Sequence, residues 1–104
     1  MTGEVEEYNQ RQYALMRRAL LAFERGESDL CQLINVLKSL LCALQCAAES
    51  WKGSFQEEWW TLEQVYAVAL DRGQDPMAGE NGAMVRQAVA RLKDLVAENV
   101  AGSE

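Results

Sequence analysis

Apolar residues recur along most of the chain at spacings of three and four positions, which is the period of an amphipathic helix. The pattern is clearest in the second quarter of the chain, at Leu30, Leu33, Ile34, Leu37, Leu41, Leu44 and Ala48. No stretches alternate between apolar and polar residues, with turn signals between them, as the strands of a sheet would. The sequence therefore predicts an all-α fold.

Cap and glycine signals divide the pattern into four helices, predicted over residues of about 4–24, 29–50, 54–72 and 83–99. Gly26 and Gly73 are expected to end the first and third helices in the left-handed conformation that glycine adopts easily. Ser28 or Asp29 is expected to cap the second helix, because a short oxygen-bearing side chain can accept from the free backbone N–H groups there.

The predicted connections between the helices are short. Residues 52–54 (KGS) are expected to separate the second and third helices, with Ser54 as a possible cap, and residues 74–82 (QDPMAGENG) form the clearest loop signal. Short connections favour an up-and-down antiparallel four-helix bundle. At 104 residues the chain is predicted to form one helical domain over 1–104, with a tail that frays from about residue 100.

Negative charge is concentrated in the third quarter of the chain. The net charge is −6, and residues 49–80 contribute most of it, since their seven acidic residues are offset only by Lys52 and Arg72. Such a surface repels nucleic acid and anionic lipid and attracts cationic partners. The alternative is that these carboxylates only keep the protein in solution.

All three tryptophans lie in the segment from Trp51 to Gly73. The stripe expected to face the core contains Phe55, Trp59, Leu62, Tyr66 and Ala69. Trp60 points about 100° away from Trp59 on a helix, among carboxylates and small residues. It is either an interface anchor or a side chain packed beneath a loop or a flanking helix.

The sequence contains no recognisable catalytic machinery. It has no histidine, and no glycine pattern of a nucleotide-binding loop or nucleophile elbow occurs. Adjacent carboxylates such as Glu57 and Glu58 diverge by about 100° on a helix, so they do not converge as a catalytic acid and base must. We expect no enzymatic activity, no cofactor and no metal.

The three cysteines, Cys31, Cys42 and Cys46, fall within about 60° of one another on the predicted second helix. A zinc site would need a fourth ligand from another helix, and an i,i+4 pair fits a disulfide poorly. They are interpreted as reduced, buried small fillers. The acidic N-terminus is unlike a signal peptide, and no run of about 18 apolar residues could cross a membrane, so we expect a cytoplasmic protein.

The segments LINVLKSLLCAL, WKGSFQEEWWTLEQVYAVALDRG and MVRQAVARLKDLV resemble small acidic immunity proteins of bacterial contact-dependent growth inhibition and related polymorphic toxin systems. The positions that carry the resemblance are Trp51, Phe55, Trp59, Leu62, Glu63, Val65, Tyr66, Ala67, Ala69, Leu70, Asp71 and Arg72. The resemblance implies a protein that binds a cognate toxin domain, often a cationic nuclease, and blocks its active site or the approach of its substrate.

Charge and resemblance together predict a stoichiometric inhibitor without affinity for nucleic acid or membranes. Fixed carboxylates would speed association with a basic surface, and aromatic anchors would slow dissociation. The predicted partner-binding residues are Glu57, Trp60, Glu63, Gln64, Asp71, Asp75 and Glu80. The alternative is a helical interaction or adaptor module that neutralises no toxin and self-associates, for example as a homodimer, through Val36, Leu40 and Trp60.

Overall fold

The computed structural model describes residues 2–100, which form four α-helices. The helices are α1 (Thr2–Glu24), α2 (Leu30–Ala43), α3 (Glu49–Asp71) and α4 (Gly79–Ala97). No strand occurs in these residues, so the predicted all-α class is confirmed. Within the same range, no helix is both long enough and apolar enough to cross a bilayer. The tail predicted to fray from about residue 100 lies mostly in residues 101–104, outside the described part of the chain, while Val100 is partly buried and packs against the core.

The four helices enclose one apolar core. α1 and α3 each pack against both α2 and α4, whereas the backbones of α1 and α3, and those of α2 and α4, do not approach each other within residues 2–100. Every helix contributes fully buried side chains, the largest of which are Phe55, Met16, Leu20, Leu33, Leu37, Leu62, Leu92, Val85, Val89 and Val96. α1 and α3 therefore stand at opposite corners, and α2 separates two surface grooves.

The predicted caps at Asp29, Gly26 and Gly73 are confirmed, whereas the predicted cap at Ser54 is wrong, because Ser54 lies inside α3 and Ala48 is the N-cap of that helix. The Asp29 carboxylate accepts from the backbone N–H of Gln32 at 2.8 Å, and the Gln32 side chain accepts from the backbone N–H of Asp29 at 2.9 Å. This reciprocal pair is a capping box. Gly26 (φ 80°) and Gly73 (φ 66°) adopt the left-handed conformation just beyond α1 and α3.

The boundary between the second and third helices lies earlier than predicted. α2 ends at Ala43 and α3 already begins at Glu49, so residues 52–54 are helical and the connection is 44–48. Asn9 of α1 bonds to both backbone groups of Gln45, and Cys46 has a left-handed φ of 57°. The contact with α1 satisfies the backbone of this connection, which helical periodicity alone could not reveal.

The predicted start of the fourth helix is also wrong, because α4 begins at Gly79 rather than near residue 83. Gly82 therefore lies in its first turn and is buried. A Cβ at Gly82 would stand 2.7 Å from the carbonyl carbon of Met77 and closer still to its oxygen. The glycine cluster that signals a loop thus includes a residue that lets the helix pack closely against the preceding chain.

The sequence pattern predicts one apolar face in α1, formed by Val5, Tyr8, Leu15, Met16, Ala19 and Phe23, and a wider apolar face in α2 through Val36 and Leu40. Two of these residues are largely exposed. Leu15 is 43% exposed and Val36 is 42% exposed, while Tyr13 and Leu20 fill the core from α1. The apolar stripe of α1 is therefore rotated relative to the prediction, and the apolar coverage of α2 extends beyond what its neighbours bury.

Candidate partner-binding face

Two indole groups fix α3 between its neighbours. The Trp51 Nε1–H donates to the backbone carbonyl of Leu95 in α4 at 2.8 Å, and the Trp59 Nε1–H donates to the carbonyl of Ile34 in α2 at 2.9 Å. Lys38 Nζ lies 5.9 Å from the centroid of the Trp59 ring, within cation–π range. Because the two bonds lead to different helices, they restrain the rotation of α3 about its axis.

Aromatic packing reinforces the first of these anchors. The Trp51 ring lies edge-on to Tyr13 at a centroid distance of 5.4 Å and beside Phe55 at 5.3 Å. Burial raises the pKa of the Tyr13 hydroxyl, because the apolar surroundings disfavour a phenolate. The N-terminal half of α3 is therefore held by a tight aromatic cluster.

Trp60 is turned outward by this anchoring and is 55% exposed. We use the name α3 ridge for the exposed outer face of α3, which consists of Glu57, Trp60, Gln64, Ala67, Val68 and Asp71. The prediction that Trp60 lies opposite the core stripe is confirmed, and packing beneath a loop or flanking helix is excluded. The α3 ridge combines an exposed indole with two carboxylates on a fixed helix.

A groove of about 520 Å³ runs between α2 and α3 along one side of the α3 ridge. We call it the α2/α3 groove, and it is lined by Lys38, Leu41, Cys42, Gly53, Gln56, Glu57, Trp59 and Trp60. No atom lies within 4 Å of the position that a Cβ of Gly53 would take, so the groove is open there. An incoming side chain could contact the Trp60 ring and the Glu57 carboxylate together.

The seven predicted partner-binding residues do not form one continuous site. Four belong to the α3 ridge and are exposed, namely Glu57, Trp60, Gln64 and Asp71. Glu63 is partly buried on the flank of α3, and Glu80 is exposed in the first turn of α4. Asp75 lies in the connection after α3, where its carboxylate accepts from the backbone N–H of Met77 at 2.9 Å. This bond gives Asp75 a turn-forming role that the sequence did not suggest.

Asp75 lines a second groove, of about 460 Å³, between the start of α2 and the end of α3. Cys31, Tyr66 and Asp29 line it as well. Hydrogen bonding with the Cys31 side chain, followed by the charges of Cys31 and Asp29 and by burial, raises the pKa of the Tyr66 hydroxyl. No residue lines both this groove and the α2/α3 groove, so the two grooves are separate.

Several groove residues were not predicted as part of the partner-binding face, notably Lys38 and Cys42. They are four positions apart, so they lie on one face of α2. Their spacing is visible in the sequence, but the identity of the helix opposite them is not.

The interpretation of the cysteines as buried fillers is wrong for two of the three. Cys42 and Cys46 are exposed, and Cys46 lies outside any helix, while Cys31 is partly buried. The Asn35 amide lies 3.6 Å from the Cys31 sulfur. Among residues 2–100, no group of three or more cysteine, aspartate or glutamate side chains is placed to hold a metal ion.

Comparison of the chain with protein-family models, with curated proteins and with solved structures finds no match.

Proposed function

We propose that the protein is an immunity protein that binds a cognate bacterial toxin domain through the α3 ridge and neutralises it stoichiometrically. The toxin surface is cationic, as in a nuclease, because the ridge presents carboxylates around its aromatic anchor. In this proposal the protein acts in the cytoplasm as a binding protein, without catalysis and without a cofactor.

One observation carries the proposal: Trp60 is 55% exposed on a helix whose rotation is restrained by two indole hydrogen bonds. Tryptophan is enriched among the residues that dominate the binding energy of protein interfaces. An anchor already held in place loses little conformational entropy on binding. The geometry therefore supports tight association at Trp60.

The carboxylates of the ridge are available to a partner. Only two ion pairs form within residues 2–100, Glu58 with Arg91 and Glu24 with Lys93, and neither uses Glu57 or Asp71. Exposed carboxylates without an intramolecular cation attract a basic surface over long range and raise the association rate. They would also compete with phosphate groups for that surface.

The proposal includes an up-and-down antiparallel bundle as the scaffold. Trp51 near the start of α3 bonds to Leu95 near the end of α4, and Asn9 in α1 bonds to Gln45 just after α2. Contacts between the beginning of one helix and the end of its neighbour support antiparallel neighbours. A scaffold of this kind holds the ridge in a fixed shape before the partner arrives.

The proposal is tested with the toxin encoded directly upstream of the gene or co-purified from the native host. The α3 variant carries Lys in place of Glu57 and Asp71, the two carboxylates of the α3 ridge. A matched control reverses two exposed acids elsewhere and has the same net charge; it carries Lys in place of Glu7 and Glu98. Circular dichroism checks that both variants remain helical.

We expect the α3 variant to associate with the toxin at least about tenfold more slowly than the wild-type protein at low salt, and to protect cells from the toxin no longer. The control variant should associate and protect nearly as well as the wild type. Wild-type association should slow steeply with added salt. Unchanged association of the α3 variant, or equal losses in both variants, would refute the role of the ridge carboxylates.

A further inference from the structure

The structure places the spare apolar residues of α2 and the exposed tryptophan on different surfaces. Val36 and Leu40 line a groove of about 360 Å³ between α1 and α2, which we call the α1/α2 groove, whereas Trp60 lines the α2/α3 groove. The apolar lining of the α1/α2 groove consists of Leu15, Ala19, Ala22, Leu33, Val36 and Leu40. Leu15 of α1 and Val36 of α2 are 43% and 42% exposed, so no other part of residues 2–100 covers this surface.

Arginine borders the same groove on its α1 side. Arg18 lines the groove, and Arg11 lies seven residues earlier in α1, on the same side of the helix. Both are exposed, and neither takes part in an ion pair within residues 2–100. The groove is therefore apolar inside and carries positive charge at its α1 edge.

The α3 ridge has the opposite character. Trp60 and Val68, which is 39% exposed, provide apolar contact, and Glu57 and Asp71 provide negative charge near the two ends. The two surfaces are therefore opposite in charge, and each presents exposed apolar side chains.

We propose that the α1/α2 groove of one molecule binds the α3 ridge of a second copy of the chain. The two surfaces cannot meet within one molecule, because α1 and α3 stand diagonally across the core, where Tyr13 and Trp51 touch inside it. The contact uses different surfaces on the two partners, so each added molecule leaves one groove and one ridge open. Association therefore continues beyond a dimer as concentration rises.

This inference does not depend on the proposed toxin. If both hold, self-association covers Trp60, and toxin binding and self-association exclude each other. If self-association fails its test, toxin binding through the α3 ridge is unaffected.

Two complementary variants test the contact by sedimentation velocity over a wide concentration range. The groove variant carries Arg18→Glu and Val36→Glu, and the ridge variant carries Glu57→Lys and Trp60→Ser. All four positions are exposed, and circular dichroism and a thermal melt verify that each variant folds. The wild-type protein is expected to exceed twice the 11.7 kDa mass of one chain at high concentration.

Each variant alone is expected to associate at least about tenfold more weakly than the wild-type protein, because it lacks one of the two surfaces. An equimolar mixture should form a complex of two chains and stop there, since only one intact groove and one intact ridge remain to meet. A wild-type protein that stays a single chain at every concentration overturns the inference. Association that persists in either variant, or a mixture that does not associate, overturns it as well.

Discussion

The indole N–H of Trp59 lies 2.9 Å from the backbone carbonyl oxygen of Ile34 and joins α3 to the middle of α2. The adjacent Trp60 makes no such bond among residues 2–100 and is 55% exposed. Two neighbouring tryptophans therefore have different functions, because they point about 100° apart on one helix. Trp59 holds the fold, and Trp60 is free to meet another molecule.

A matched pair of substitutions separates these functions. Trp59→Phe keeps an aromatic ring and removes the hydrogen bond, so we expect the free energy of unfolding to fall by about 1–2 kcal/mol. Trp60→Phe should change it by less than about 0.5 kcal/mol, because the side chain is exposed. Urea denaturation followed by circular dichroism gives both values. Equal effects of the two substitutions would contradict the different roles.

Gly53 and Gly82 should respond in opposite ways to an added methyl group. Both lie within helices, yet a Cβ at Gly53 meets no atom within 4 Å, whereas one at Gly82 overlaps the Met77 carbonyl. Gly53→Ala should raise the free energy of unfolding by about 0.5–1 kcal/mol through helix propensity. Gly82→Ala should lower it by about 1–3 kcal/mol through overpacking. A destabilising Gly53→Ala would instead favour a break in the helix at residues 52–54.

The side chain of Asn9 determines where α2 ends. It donates to the carbonyl of Gln45 and accepts from its N–H at 2.9 Å, and Asn9 is 9% exposed. Asn9→Ala should cost about 1–3 kcal/mol, since both backbone groups of Gln45 lose their partner. Gln12→Ala is the control, because Gln12 makes only a 3.4 Å bond to Tyr8 within its own helix. Similar losses for the two variants in thermal unfolding would show that the Asn9 bonds are unimportant.

The thiols should react with Ellman's reagent in two classes. Cys42 and Cys46 are exposed and should react quickly in the native protein. Cys31 is partly buried and contacts Asn35, so its reaction should be slower and should become fast only on unfolding. Single Cys→Ser variants assign each phase. Three slow thiols would restore the interpretation of the cysteines as buried fillers.

The sequence predicted the elements that depend on local patterns. Apolar periodicity identified four helices, and the capping box at Asp29 and the left-handed Gly26 and Gly73 were found where the cap signals placed them. The outward direction of Trp60 followed from the core stripe of its own helix. These features are encoded within a few consecutive residues.

Features that depend on contacts between distant residues could not be predicted. The end of α2 is fixed by Asn9, which lies 36 residues away from Gln45. The start of α4 depends on the approach of Met77 to Gly82, and a glycine there resembles a loop signal. Asp75 was assigned to the partner-binding face on charge alone, whereas its carboxylate bonds to Met77 in the turn.

The central claim, that Trp60 is the anchor of the partner-binding face, is tested most directly by the dissociation rate of the toxin complex. Trp60→Ser is compared with Met84→Ser, which removes an apolar side chain of similar exposure (47% against 55%) from α4. In surface plasmon resonance with the cognate toxin, Trp60→Ser should dissociate at least about 30-fold faster than the wild-type protein, and Met84→Ser should dissociate at nearly the wild-type rate. If Trp60→Ser dissociates at the wild-type rate, the α3 ridge is not the binding face.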